Sequence, residues 1–231
     1  MNIVIDVIHG GEAHQWSFEF SRMVNAGYVG RNQDEVRRHI EELAVKGIPG
    51  PKKTPTLYPV ITRALQTDPL VEVYGAATSG EIEYVLLVEN EEKVLVGLGS
   101  DHTDRHLEET DIPRAKQICP NIMSKQVWLL SDVEDHWDDL IMRSRAVSEG
   151  KEVPYQEGRL GLLMSPRQLM AFIKSEIGPL DNTVIFSGTL GMLTGDFVCG
   201  ERFLGELVDE RLNRRLTLEY EVSKLDYVNL D

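Results

Sequence analysis

Two stretches decide how this chain reads: "EIEYVLLVE" at 81–89 and "KVLVGLGSD" at 93–101. Each is an apolar run of strand length with its charges at the ends. In the first, Val85, Leu86, Leu87 and Val88 are apolar on both faces, as in a strand covered from two sides. Glu81 and Glu83 open that strand. Residues i and i+2 of a strand point the same way, so their carboxylates stand side by side, ~6–7 Å apart at their roots. Two adjacent carboxylates at the edge of an apolar core repel each other unless they share a cation. Taken alone, the stretch reads more simply as a strand end in water with both glutamates solvated.

The second stretch adds a third acid. An apolar strand runs through glycines into Asp101, where a side chain can be aimed into a site. Three carboxylates from two strands make an oxygen-rich cage for a hard cation: Mg²⁺, Mn²⁺ or Ca²⁺. His102 and His106 keep zinc in view, but a carboxylate-dominated set favours magnesium or manganese. On its own, Asp101 is also a common turn or helix-cap residue.

Working outward, "NIVIDVI" (2–8), the Gly-Gly turn in "HGGEAH" and "WSFEF" (16–20) read as an N-terminal hairpin. A helix follows. Asn32 can cap it, Asp34 and Glu35 suit the positive end of its dipole, and Gly47 can stop it. Val36, Ile40 and Leu43 form its apolar stripe. The Pro-rich "IPGPKKTPTLYP" (48–59) is an extended connection, which places a boundary between an N-terminal hairpin-helix extension, 1–50, and a main body, 51–231. "LVEVYG" (70–75) is a further strand. The stretch 100–120 reads as a long loop, a length that usually signals function. Ser131 and Glu134 suit a capping box, with Trp137 and Leu140 inward on the helix after it. Ser165, Pro166 and Gly178 bracket another helix. "NTVIFSG" (182–188) is a strand, and "RRLTLEYEV" (214–222) alternates as a half-exposed one. With no βαβ alternation, the fold class is α+β and β-rich.

Composition limits the partners. With 38 acidic and 24 basic residues the net charge is −14, which repels nucleic-acid phosphates over most of the surface. A small anionic substrate remains compatible, because a metal ion and a few basic groups reverse the field locally. Two cysteines, Cys119 and Cys199, are too few for a disulfide scaffold or a cysteine-rich metal site. There is no basic-then-apolar leader and no apolar run of the ~20 residues a spanning helix needs, so the expected setting is the cytoplasm, with no membrane partner.

Seven segments in order give the chain a family likeness. They are "VGRN" (29–32), His39 with Glu42, "GEIEYVLLV" (80–88), "GSDHTDR" (99–105), "AKQICP" (115–120), "MSPRQLMAFIKS" (164–175) and "VIFSGTLGMLTGD" (184–196). Together they resemble the fumarylacetoacetate hydrolase family over roughly residues 29–222. That resemblance implies a mixed β-roll or sandwich with short peripheral helices, a homodimer, and a hydrolase or lyase acting on a small oxo acid, often a 1,3-dicarbonyl. It implies one divalent cation, Mg²⁺ or Mn²⁺ with Ca²⁺ as a further option, on Glu81, Glu83 and Asp101. It implies Lys116 as a positive charge beside the reacting oxygen, and His39 oriented by Glu42 as general base. Arg105, Thr189 and the Ser187–Gly188 part of the turn would bind the substrate. The bland alternatives are a surface Arg105 balancing Asp104 and Glu108, a solvated Lys116, a surface pair at His39 and Glu42, and a merely turn-shaping Thr189.

The chain departs from the family pattern in places. His39 stands three residues further from "RN" than the pattern has it, and Gln33 replaces a tyrosine. "YPVITRAL" (58–65) replaces a lysine-bearing segment and leaves Arg63 or Tyr58 for that space. Two other functions stay in play: dehydration or isomerisation of a sugar or keto acid, and metal-dependent binding of a small acid without turnover.

Overall fold

The computed structural model describes residues 1–45, 50–51 and 53–228; of residues 39 and 42–45 it describes the backbone alone. The N-terminal part holds strands β1 (Asn2–His9), β2 (Glu12–Glu19) and β3 (Arg22–Gly27), helix α1 (Gln33–Val45), and strands β4 (Thr56–Val60), β5 (Leu65–Gln66) and β6 (Leu70–Val73). Next come β7 (Thr78–Ser79), β8 (Ile82–Val88), β9 (Val94–Asp101), β10 (Thr103–Asp104), and helices α2 (Arg105–Glu108) and α3 (Ile112–Ile118). The chain then forms β11 (Asn121–Met123), β12 (Gln126–Leu129), β13 (Ile141–Ser148), β14 (Lys151–Arg159), α4 (Pro166–Ile177), β15 (Thr183–Phe186), β16 (Arg202–Asp209) and β17 (Arg214–Lys224).

The main sheet runs β2-β1-β12-β9-β8-β15-β3-β4, with β11 and β5 attached beside β9. A five-stranded sheet, β14-β13-β16-β17-β6, packs against it. The α+β, β-rich class read from the sequence is the class observed. The hairpin expected as an extension is built into the main sheet. β1 pairs in parallel with β12 and β3 with β15, so strands from both sides of residue 50 share one ladder.

β8 and β9 are buried along their whole length because both faces of the main sheet are covered. Ile82, Tyr84, Leu86 and Val88 face the core shared with the second sheet. Val85 and Leu87 face a second core with Phe18, Met23 and Phe186. Strand alternation therefore puts Glu83 on the face of Val85 and Leu87.

Several local expectations hold. The Asn32 side chain accepts from the Glu35 N–H, and Ser165 and Gln168 form a reciprocal capping box at the start of α4. Others do not. Residues 100–120 are not a structureless loop: α2 and α3 start there on the side chains of Asp104 and Asp111. The Ser131–Glu134 box does not form. That segment is two short 3₁₀ turns without a side-chain cap, and Glu134 pairs with Arg167 instead. The helix stop expected at Gly47 lies outside the described residues. No described helix is long and apolar enough to cross a membrane.

Candidate metal centre

Strand register assembles the acids. Ile82 stands opposite Ser100 and Glu83 opposite Gly99. One step further along, the Asp101 N–H donates to the Glu81 carbonyl at 3.1 Å. Asp101 lies on the same face of β9 as Gly97 and Gly99. At Gly99 an added Cβ would come within 2.5 Å of Val85 and 2.7 Å of Phe186, so only glycine fits opposite Glu83. One oxygen from each of Glu81, Glu83 and Asp101 lies within 4.8 Å of the others. The solvated strand end is thereby set aside: Glu83 is 2% exposed, and the Glu81 side chain, 18% exposed, pairs with Lys116 and Arg105.

Lys116 reaches into this cluster from α3. Its Nζ is 2.7 Å from Asp101 Oδ2, 3.3 Å from Glu81 Oε2 and 3.5 Å from Glu108 Oε1, and it donates to Thr103 Oγ1 at 3.1 Å. It is buried, not a solvated loop lysine. Burial pulls its pKa down, but Asp101, Glu81 and Glu108 outweigh this and hold it well above the usual lysine value.

Arg105 is also buried. Its guanidinium donates to the Ser79 side chain and carbonyl, pairs with Glu81 at 3.4 Å and Glu108 at 2.6 Å, and stacks on Phe197 at 3.9 Å. It does not line the cavity above the carboxylates. Arg105, expected from the sequence to orient a substrate, is in this structure engaged with Ser79, Glu81 and Glu108.

The turn after β15 is similarly committed. The Gly188 N–H donates to Glu83 Oε2 at 2.8 Å. Gly188 sits at φ 82°, and a Cβ there would meet the Ala26 carbonyl at 2.6 Å, so the turn needs glycine to aim that N–H. Ser187 Oγ, fully buried, donates back to the Gly188 carbonyl. Thr189 Oγ1 donates to the Ile82 carbonyl and accepts from Gln156 Nε2, both at 2.6 Å. Gln156 went unnoticed in the sequence because a lone glutamine in a strand carries no signal. Its Oε1 also accepts from the Ile82 N–H, pinning this turn to β8.

The charges do not balance. Four carboxylates, Glu81, Glu83, Asp101 and Glu108, face two fixed cations, Lys116 and Arg105. Burial, then Asp101 and Glu81, push the Glu83 carboxyl well above its usual range. Burial and Glu81 raise Asp101, although Lys116 opposes them. Burial also acts on Glu81, but Lys116 and Arg105 reverse it and hold that carboxyl low. When all four acids are ionised, the deficit is the charge of one divalent ion. The donors are all oxygen, so the set fits a hard cation. Zinc is not favoured: His102 spends both ring nitrogens elsewhere, on Tyr220 and Thr78, and His106 is exposed outside the cluster.

A cavity of about 510 Å³ opens over the acids. The sequence reading missed Asn25, Tyr28 and Glu108 among its lining residues, whereas Tyr58 does stand in that space; Arg63 does not. Asn25 is 1% exposed and its amide faces Asp101, but neither of its polar atoms meets a protein partner at hydrogen-bonding geometry. Tyr28 holds φ at 60°, a conformation rare for a bulky residue, and Gln33 Nε2 braces it by donating to its carbonyl. His39 and Glu42 lie on the backbone of α1, and their side chains lie outside the described residues.

Residues 26–220 match a family described as a protein of unknown function (DUF2848). The chain belongs to the DUF2848 family. No curated protein matches it. Solved structures resemble this DUF2848 member more broadly. A crystal structure of Cg1458 with inhibitor aligns at a TM-score of 0.65 with 16% identity, covering 92% of this chain and 85% of that one. A 2-keto-3-deoxyarabinonate dehydratase aligns at 0.62 with 16% identity, covering 89% and 75%. A 4-oxalocrotonate decarboxylase from Pseudomonas putida G7 aligns at 0.57 with 12% identity, covering 87% and 76%. These neighbours are of the fumarylacetoacetate hydrolase type, and this DUF2848 chain has that fold.

Proposed function

We propose that the protein is a divalent-metal-dependent enzyme acting on a small oxo acid by C–C cleavage or decarboxylation. One observation carries the reading. Glu81, Glu83 and Asp101 converge, two positive charges short of balance, on the floor of a cavity that Lys116 also lines. The fold neighbours support it: one dehydratase structure is complexed with magnesium and 2,5-dioxopentanoate, and the decarboxylase with calcium and acetate. Mg²⁺ or Mn²⁺ is the proposed ion, with Ca²⁺ as a further candidate. When bound, such an ion supplies a Lewis acid for the keto oxygen of an oxo acid.

The chain's own groups have distinct proposed tasks. Lys116, held protonated, is a fixed positive charge and hydrogen-bond donor beside developing negative charge, not a nucleophile. Arg105 holds Glu81 and the Gly188 N–H holds Glu83, so two of the three acids are oriented before anything binds. Thr189 and Gly188 shape the wall the substrate rests on. His39, oriented by Glu42, is the proposed general base that takes a proton from water or substrate. Dehydration of a keto acid is the second reading, and it too rests on the dehydratase neighbours. A homodimer and a cytoplasmic setting belong to the same proposal.

Calorimetry with Mg²⁺ and Mn²⁺ on the wild type and on Glu83→Ala tests the site. One-to-one binding lost in the variant supports it; a wild type that binds neither ion sinks it. Turnover across an oxo-acid panel, compared with His39→Ala, then tests the base. A variant as fast as the wild type removes His39 from that role.

A further inference from the structure

The cavity over the carboxylates has two unlike sides. Its floor is ionic. The rest of its wall is mainly aliphatic, built by Val29, Val36, Ile40, Leu162, Leu163 and Leu190, with Asn25, Tyr28, Tyr58 and Thr189 as its polar side chains. The backbone of that wall is largely spent as well. The Val29 carbonyl accepts from the Met164 N–H, and the Leu162 and Leu163 carbonyls accept from the backbone and side chain of Arg31. Tyr28, Tyr58, Glu108 and Ile112 line both this cavity and a second one, of about 1170 Å³. The second is walled by Pro55, Leu57, Pro113, Phe172, Ile177 and Phe197 among others. The described cations nearby are engaged: Lys116 and Arg105 within the acid cluster, and Lys53 with Glu176 at 2.6 Å and over the Phe172 ring.

We infer that the substrate is a monocarboxylic 2-oxo acid with a long alkyl or aryl substituent. The oxo-carboxylate end meets the acid-held ion. The substituent lies on the Val29–Leu190 wall and runs past Tyr28 and Tyr58 toward the second cavity. This inference rests on the oxo-acid reading above and narrows it. Hydroxyls of a polyhydroxylated acid that lie on those aliphatic side chains would find no partner among them, at about tenfold in affinity for each. A second carboxylate would meet Glu108 and no free described cation. Each methylene buried on such a wall instead gains up to about fourfold.

The test uses the full chain loaded with Mn²⁺ and reads ligand binding by calorimetry. The series is pyruvate, 2-oxobutanoate, 2-oxohexanoate, 2-oxooctanoate and phenylpyruvate, against oxaloacetate and 2-oxogluconate. The expected result is a Kd that falls by about twofold to fourfold per methylene, with phenylpyruvate at least about tenfold tighter than pyruvate. Oxaloacetate and 2-oxogluconate should bind no more tightly than pyruvate. Leu162 is 63% exposed, so Leu162→Asp leaves the core intact, and it should flatten the chain-length slope. A flat slope in the wild type, or tightest binding by oxaloacetate or 2-oxogluconate, overturns the apolar substrate class and leaves the oxo-acid reading standing. Protein that binds Mn²⁺ but none of the seven acids overturns both.

Discussion

Asp101 and His102 are consecutive residues, equally buried at 1% exposure, and they enter two polar clusters of opposite character. Asp101 points with Glu81 and Glu83 to one side of the sheet. His102 points to the other, where its Nδ1 meets Tyr220 Oη and its Nε2 meets Thr78 Oγ1, both at 3.0 Å. Ser100, on the same side as His102, is 2.9 Å from that tyrosine hydroxyl. This second network is neutral and closed. Burial holds the His102 pKa down to about 3, so the ring carries no charge at neutral pH. The acid cluster is short of positive charge and opens on a cavity. Burial is therefore no mark of a site by itself; unbalanced charge beside open space is the distinguishing feature.

Exchanging the two clusters' properties by mutation tests this contrast. The largest effect is expected at Glu83→Gln. Mn²⁺ affinity should fall by at least about 100-fold, since even an outer-shell partner is worth up to that much. The metal-free variant should be no less stable than the wild type at neutral pH, because a buried, repelled carboxylate is gone. Retained Mn²⁺ affinity would contradict the contrast. His102→Ala should do the converse. It strips Tyr220 and Thr78 of a buried partner and costs about 2 kcal/mol in denaturant unfolding, while Mn²⁺ affinity stays within about threefold.

The pH dependence of the metal-free protein sharpens the comparison further. Glu83 and Asp101 titrate above their ordinary values in the folded state. From about the ordinary carboxylate range upward, the folded chain then holds protons that the unfolded chain has lost. Stability falls as pH rises through that window. Paired surface acids such as Glu134 and Asp138, whose values are lowered, act in the opposite sense and lose their contribution as pH falls. Thermal melts from about pH 5 to about pH 8 should thus show Mn²⁺ raising Tm more at the alkaline end, because the ion competes with protons. A Tm increment independent of pH would mean that the acids are already ionised without metal. The smallest effect belongs to Ser100→Ala. One hydroxyl contact to Tyr220 is lost while His102 keeps the other, for about 1 kcal/mol and no change in metal binding.

The legible parts of this chain are those governed by short-range geometry. A period of two residues put Glu81 and Glu83 on one face, and the apolar runs marked β8 and β9 as doubly covered. Ser165 and Pro166 announced α4. The same local logic misjudged residues 100–120, where Asp104 and Asp111 start helices too short to show a periodic stripe. It also misjudged Ser131 and Glu134, since Arg167, 33 residues from Glu134, claims the glutamate.

While β12, β13, β14 and β16 carried no pattern that marked them, the sequence by itself determined β8 and β9, their buried character, the placing of the first two acids on one face and the order of the motifs. All of these follow from backbone periodicity over a few residues. The tertiary structure decided what the acids meet. Lys116 lies 35 residues from Glu81 and Gly188 lies 105 residues from Glu83, and folding alone brings them within 3.3 and 2.8 Å. It also added Ser79 and Glu81, 26 and 24 residues from Arg105, to the Arg105–Glu108 pair that local spacing offers. Contacts between segments so far apart depend on how two covered sheets close over each other, and that packing is not written in any local pattern.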